Sequence, residues 1–449
     1  IGAWARRLTG GRGAVARPLT TDEWDAEDAA ERARAESALL RERWPDPASV
    51  LLTVLGPGPR LWERGPGHPD LLTVRLGTAD RHTSDGSAPL TSVPVTVGLR
   101  QAGSLGLAGP RGRLSGLARS VLAQLAALHS PAALEFVLIS ADRSRSAEER
   151  LAEWSWLSWL PQLRPARGQD CRLLVAYDRE QAVARVAELV RRLDESPLGP
   201  HWAAAPPAAV AAAAERHTGA HTVLIVDGDP GSADLRETVS RLATGGRAAG
   251  IHLICLADAP ATTPASPVSA TLATARTASP AFPHCGVVAL LSGDVATVVQ
   301  VIHRTPAPTA NGAYDEGASG PGSVPGTAVE PLYASGRPDP YGLHQDARAD
   351  VAAGGAVPAC GGQGEQPVGA AVVAAVDAVS AAWAERFARA LAPLRMADAG
   401  GADGQACRVV AALPRTARLL DELGLARATP ASLTARWAAA TDRGTRPGG

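Results

Sequence analysis

Two stretches of this sequence hold residues whose spacing could do phosphate chemistry. The first is LGLAGPRGRLSGLARSVLAQLAAL, residues 105–128. It reads as a short strand, a glycine turn and then a helical repeat. In that setting, glycines let backbone N–H groups approach phosphate oxygens, a lysine reaches the terminal phosphates, and a Ser or Thr hydroxyl holds Mg²⁺. Gly109 and Gly112 can supply the turn, and Ser115 can supply the hydroxyl. Where the lysine belongs stands Leu114, and the segment is one residue short of G-x-x-x-x-G-K-S. Arg111 and Arg113 bring guanidiniums nearby, but a guanidinium is bulkier than an ammonium and both sit at the wrong offset. The chain holds no lysine at all, since every one of its 44 Lys-or-Arg positions is arginine. Two readings stand: a weak anion or nucleotide cradle at a helix N-terminus, or a relic turn that only holds the fold.

The second stretch is HTVLIVDGDPG, residues 221–231, an apolar strand ending in an acid. Asp227 stands where a carboxylate completes a Mg²⁺ shell. A second acid directly after it would polarise an attacking water, and that position is Gly228. Asp229 follows in a turn-prone D-P-G context and is expected to face elsewhere. The bland reading of Asp227 is a strand-end aspartate capping the next turn. Leu114 and Gly228 together remove both the phosphate clamp and the base. The expected set is therefore a degenerate nucleotide site of Gly109, Gly112, Arg113, Ser115 and Asp227, with no catalytic residue. ATP would bind weakly, and Mg²⁺ would sit on Ser115 and Asp227 only with nucleotide present.

The elements that must position these residues alternate. Residues 93–99 (VPVTVGL) and 104–108 read as strands, and 117–128 as a helix. Apolar strands follow at 134–140, 171–177, 221–227, 251–258 and 286–292, with helical repeats at 179–194 and 232–243. Strands apolar throughout, separated by helices, imply a mostly parallel sheet covered on both faces. The class is α/β of P-loop NTPase type, preceded by a small α+β appendage.

Composition sets the remaining bounds. At 449 residues and 45% hydrophobic the chain can build a large core, and with 4% aromatics that core is aliphatic. Gly 46 and Pro 36 point to long irregular stretches as well. The expected organisation is a flexible segment 1–20, an α+β appendage 21–92, a core 93–303, a disordered Pro/Gly/Ala-rich insert 304–368, a C-terminal part of the core with a linker 369–440, and a tail 441–449. An exposed helix is expected from Asp22 to about Trp44, ended by Pro45 and Pro47. The start at Ile1 reads as a piece of a longer protein. No apolar run is long enough to span a membrane. The five cysteines (171, 255, 285, 360, 407) form no CxxC pair, which argues against zinc; Cys171 and Cys255 read as small core residues.

The order of PVTVGL, LGLAGPRGRLSGLARSVLAQLAALHSP, LEFVLIS, HTVLIVD and GIHLICLA resembles an FtsK/SpoIIIE-type ATPase domain. RWPDPASVLL followed by LWERGPGHPDLLTVRLG, and downstream ALPRTARLLDELGL, are similar to segments flanking an ATPase module in the actinobacterial, EccC-like branch that serves type VII secretion. The resemblance covers about residues 40–300 and 370–437. It implies an ASCE, RecA-like core, several ATPase modules in one membrane-anchored polypeptide, hexamers, and a place on the cytoplasmic side of the plasma membrane. By motif it assigns the phosphate loop to Gly109, Gly112 and Ser115 and the first strand-end acid to Asp227. The departures at Leu114 and Gly228 keep ATP turnover from being carried over.

Three functions follow as alternatives: a regulatory or scaffolding module of a secretion motor, an active ATP-driven translocase of DNA or protein, or a protein-binding module for secreted substrates. Expected partners are neighbouring modules, further copies of the chain and a secreted protein. A net charge of −1 with no long basic run argues against DNA. The cluster Trp154, Trp156 and Trp159 could bind a partner segment or pack against the sheet edge. Arg143, Arg145, Arg150, Arg164 and Arg167 read as solvated surface. His129 and His252 read as structural.

Overall fold

The core strands are buried at nearly every position because helices lie on both sides of them. The computed structural model describes residues 21–83, 86, 88–260, 268–292, 297–304, 371–394, 429–431 and 433–434. The strands are Thr73–His82 (β1), Pro89–Gly98 (β2), Ser104–Gly109 (β3), Leu134–Ile139 (β4), Val175–Ala176 (β5), His221–Asp227 (β6), Ile251–Asp258 (β7), Val287–Ser292 (β8), Val298–His303 (β9) and Ala371–Val376 (β10). They form one sheet in the order β2-β1-β10-β9-β8-β3-β7-β6-β4-β5. The run from β8 to β5 is parallel throughout, and the run from β8 to β2 is antiparallel. Alternate residues of a strand feed different cores. Val223 and Ile225 of β6 join one hydrophobic cluster, and Leu224 and Val226 join the other.

The main helices are Thr21–Arg43 (α1), Pro47–Leu55 (α2), Arg111–Leu128 (α3), Ala147–Trp154 (α4), Arg179–Asp194 (α5), Pro207–Arg216 (α6), Ala233–Gly245 (α7), Val268–Ala278 (α8) and Ala381–Leu391 (α9). The first core holds α2, α3 and α9, and the second holds α5 to α8. Five helices open on a Ser or Asp whose side chain accepts from the N–H three residues on: Asp46, Ser146, Asp178, Ser232 and Ser380. Helix α3 opens instead on Pro110, with no side-chain cap.

The α/β, mostly parallel design expected from the sequence is present. Several elements differ in detail. The appendage does not form a sheet of its own: β1 pairs with β10, which pairs with β9, so the N-terminal hairpin extends the core sheet. The run VPVTVGL, expected to open the core, is the second arm of that hairpin (Val74 opposite Val97). At the join, Gly77 lies where a Cβ would stand 2.0 Å from the Ala375 carbonyl oxygen, so only glycine lets the two backbones meet. Arg75 donates to Asp377 at 2.7 Å and to the Trp44 carbonyl at 3.0 Å, tying the hairpin to the far end of the chain. Residues 50–55 are helical, because Asp46 and Pro47 give α2 a cap and a first residue with a preset φ. Of residues 171–177 only Val175–Ala176 pair in the sheet, at its edge. Helix α1 is not wholly exposed: Ala29 and Ala33 pack on Leu90 and Val93 of β2. The expected segment 1–20, all of the expected insert 304–368 except Arg304, all of 369–440 except 371–394, 429–431 and 433–434, and the tail 441–449 lie outside the described residues. No helix among the described residues is long and apolar enough to cross a membrane.

Candidate functional site

The strand that ends in the glycine turn (β3) and the strand that ends in Asp227 (β6) lie on either side of β7. Ligands of open parallel sheets bind beyond the carboxyl ends of such strands, where helix N-termini also point. The two sequence stretches therefore converge at one place, as the motif reading requires. The residues found there differ from the expected set.

The turn itself is minimal. Strand β3 ends at Gly109, Pro110 follows, and α3 begins at Arg111. The N–H groups of Arg113 and Leu114 already donate to the Pro110 carbonyl, at 3.0 and 2.9 Å. Gly109 has φ +153°, and a Cβ there would stand 2.5 Å from the Leu291 side chain, so this glycine is needed for close packing. Gly112 faces open space in the first helical turn, and Arg113 makes no ion pair with any described residue. Leu114, in the lysine position, is wholly buried in the core. Gly116, a turn further on, lets the segment after β10 approach: the Val379 N–H donates to its carbonyl at 3.1 Å.

Asp227 is saturated by the protein. Its side chain is 1% exposed. Both of its oxygens accept from the Arg111 guanidinium, the Nη2 bond being 2.9 Å. Oδ2 also accepts from Trp154 Nε1 at 2.7 Å, Ser140 Oγ at 3.0 Å and Arg145 Nη1 at 3.1 Å. A second carboxylate, Glu153, faces the same arginines. Arg111 Nε donates to it at 3.0 and 3.1 Å, and Arg145 Nη2 makes a further ion pair. The Ser115 hydroxyl lies between the Arg111 carbonyl oxygen, 2.8 Å away, and Glu153. Two guanidiniums thus face two carboxylates, and the cluster carries no net charge. Burial alone would raise the Asp227 carboxyl; Arg111, Trp154 and Arg145 outweigh it and hold the carboxyl below its ordinary value. Burial works against charged Arg111, yet Asp227 and Glu153 hold its pKa above the ordinary arginine value.

Five of these residues, Arg111, Ser140, Arg145, Glu153 and Trp154, were not in the expected set. Arg145, read as solvated surface, turns inward from the loop after β4. Arg150, read the same way, is buried and donates to the carbonyls of Ser140 and Tyr177. Glu153 and Trp154 ride on the last turn of α4, which a Ser146–Glu149 capping box starts. The capping box was visible in the sequence; the contact with a strand end more than 70 residues away was not. Of the tryptophans, Trp154 and Trp156 are buried, and Trp159 is 42% exposed beneath Arg389, whose guanidinium lies 5.0 Å from its ring.

The acid-free position after Asp227 has a steric cause. Gly228 has φ +79°, and a Cβ there would lie 2.2 Å from Asp142 Oδ2. Asp229 does face away, paired with Arg236. Among the described residues no group of three or more His, Cys, Asp or Glu is placed to hold a metal ion. Cys255 and Cys285 are free and buried, their sulfurs 3.4 Å apart, and Cys171 is half-buried beside Arg185. MgATP is the ligand that this fold class implies. The residues here do not fit it: no loop surrounds a phosphate, Leu114 points into the core, and Ser115 and Asp227 are both taken up by protein partners.

The mostly parallel α/β sheet, with one strand between those bearing the glycine turn and the terminal aspartate, is of the open kind whose ligands bind beyond its strand ends. No family model matches the chain. The sequence relatives found are type VII secretion proteins. The ESX-4 secretion system protein EccC4 of Mycobacterium tuberculosis is 32% identical over 162 residues, 29% of this chain and 12% of that protein. The ESX secretion system protein EccC of Thermomonospora curvata is 28% identical over 160 residues, again 29% and 12%. The resemblance to EccC is thus carried by a stretch of sequence, and this chain spans a small part of those proteins' length. The cytoplasmic domain of the Thermomonospora curvata type VII secretion ATPase EccC aligns over 52% of this chain and 25% of its own, with 15% identity and a TM-score of 0.34.

Proposed function

We propose that this chain is a degenerate FtsK/SpoIIIE-type module that acts as a regulatory or scaffolding part of a membrane-anchored, EccC-like secretion motor, without turning over ATP. The observation that carries the reading is the single-residue passage from β3 to α3. A phosphate loop must wrap an anion with several free N–H groups. Here the chain enters the helix through Pro110 alone, and the amides of Arg113 and Leu114 are bonded to its carbonyl. The partners proposed are neighbouring ATPase modules of the same polypeptide and further copies of this chain, on the cytoplasmic side of the membrane. The kinship with EccC sequences supports that setting. The test is isothermal titration of the 449-residue chain with ATP and ADP, with and without Mg²⁺, beside a phosphate-release assay. The expected result is no saturable heat and no release above buffer. Mg²⁺-dependent hydrolysis that survives repurification would overturn the reading.

A further inference from the structure

The arginine cluster is more than a blocked site. In a nucleotide-binding phosphate-loop site a divalent cation brings the positive charge that the strand-end carboxylate needs. In this chain the charge is covalently attached. Arg111 arrives from the start of α3, Arg145 from the loop after β4, and Glu153 and Trp154 from the end of α4; Arg111, Arg145 and Trp154 meet Asp227 at the end of β6, and Glu153 pairs with the same two guanidiniums. Charges balance two against two, so a further cation approaching Asp227 would meet two guanidiniums rather than free carboxylate oxygen. Such buried charges are tolerable only when paired.

We infer that Arg111 and Arg145 are the module's permanent counter-ions, holding Asp227 and Glu153 in place of a bound cation and so clamping α4 to the sheet whatever nucleotide is present. The clamp has a mechanical consequence. Trp154 is both the last residue of α4 and a donor to Asp227, and the turn Ser155–Trp159 that follows carries Trp159 beneath Arg389 of α9. The segment from α4 to Trp159 is thus held at both ends by contacts within the protein itself. This inference deepens the scaffolding reading and rests on it: the module presents one constant surface to its neighbours.

The experiment compares thermal unfolding of the full chain with millimolar MnCl₂, with EDTA and with MgATP, for wild type and Arg111→Met/Arg145→Met. The wild-type midpoint is expected to be the same in all three. The double variant leaves two carboxylates facing each other with no counter-ion. Its midpoint should fall by about 10 °C or more, and MnCl₂ should restore part of the loss. Adding Glu153→Gln and Asp227→Asn to that variant removes the repulsion. The quadruple variant should therefore lie closer to wild type than the double and be blind to MnCl₂. If the double variant does not fold, Arg145→Met alone carries the same comparison, because Arg111 still pairs with Asp227. Hydrogen exchange of amides 147–159 should be unchanged by MgATP in wild type and faster in either arginine variant. Arginine variants as stable as wild type and indifferent to MnCl₂ would overturn the counter-ion role, as would a wild type stabilised by MnCl₂ alone. A wild type stabilised only by MgATP would instead sink the non-binding reading, so the two failures are distinguishable.

Discussion

Asp227→Asn is the substitution that weighs the cluster most directly. In a working nucleotide site the strand-end acid waits for a cation, and neutralising it in the empty protein relieves a buried charge. Here the opposite is expected. The carboxylate accepts from Arg111, Arg145, Trp154 and Ser140, and its side chain is 1% exposed. An amide keeps one acceptor oxygen and puts an N–H₂ where the other stood, facing donors. Breaking a buried pair by removing one partner costs about 3–5 kcal/mol. The two arginine side chains are 19% and 21% exposed, and water will recover some of that, so the lower end, about 3 kcal/mol, is expected. For a folded body of about 300 residues, with an unfolding entropy of about 2.1 cal/mol/K per residue, that corresponds to a midpoint lowered by about 5 °C. Thermal unfolding followed by tryptophan fluorescence reads the change. A thermodynamic cycle with Arg111→Met sharpens it, since the double variant should lose less than the sum of the singles. A midpoint within about 2 °C of wild type, or strictly additive losses, would refute the claim that Asp227 is bound by the chain's own cations.

Other outcomes follow from the same geometry. Leu114→Lys, the change that restores the motif on paper, should lower stability by several kcal/mol and restore no ATP binding, because it puts an ammonium into a wholly buried position; calorimetry and urea unfolding check both. Gly112→Ala should stabilise by about 0.5–1 kcal/mol, since a Cβ there meets open space inside a helix, whereas a loop cradling phosphate would not tolerate it. Gly228→Glu should destabilise and confer no hydrolysis, because the left-handed φ and the Asp142 carboxylate leave no room for a side chain. Stability should also fall as pH drops below about 6.5. Burial pushes His129 and His252 down to about 3 and His221 to about 4, so the unfolded chain takes up protons the folded one refuses. His129 shows why: its Nε2 accepts the Leu72 N–H and its Nδ1 lies 2.9 Å from the Leu125 carbonyl oxygen, an arrangement only the neutral ring can make. Each such histidine contributes about 1.4 kcal/mol per pH unit across its window. Urea midpoints that stay flat from neutral to mildly acidic pH would contradict this.

The sequence by itself determined whatever depends on neighbours along the chain. Continuous apolar runs declared β6 and β7 as strands covered on both faces, and the repeat from Arg179 to Asp194 declared α5, because these patterns need only a periodicity to be read. The missing lysine and the missing second acid were equally plain, since a residue type is local information. Tertiary structure alone decided the rest. Nothing near Arg75 announces Asp377, roughly 300 positions away, and so nothing announces that the N-terminal hairpin completes the core sheet through β10. Nor does the context of Arg145, Glu153 and Trp154 distinguish a solvated arginine and a surface helix from an internal clasp. Arginine on a loop tip is ordinarily solvated, because its charge costs most when buried. It turns inward here only because the β3–β7–β6 order brings Arg111 to Asp227 and the packing of α4 adds Glu153 at the same point, a juxtaposition that belongs to the folded molecule.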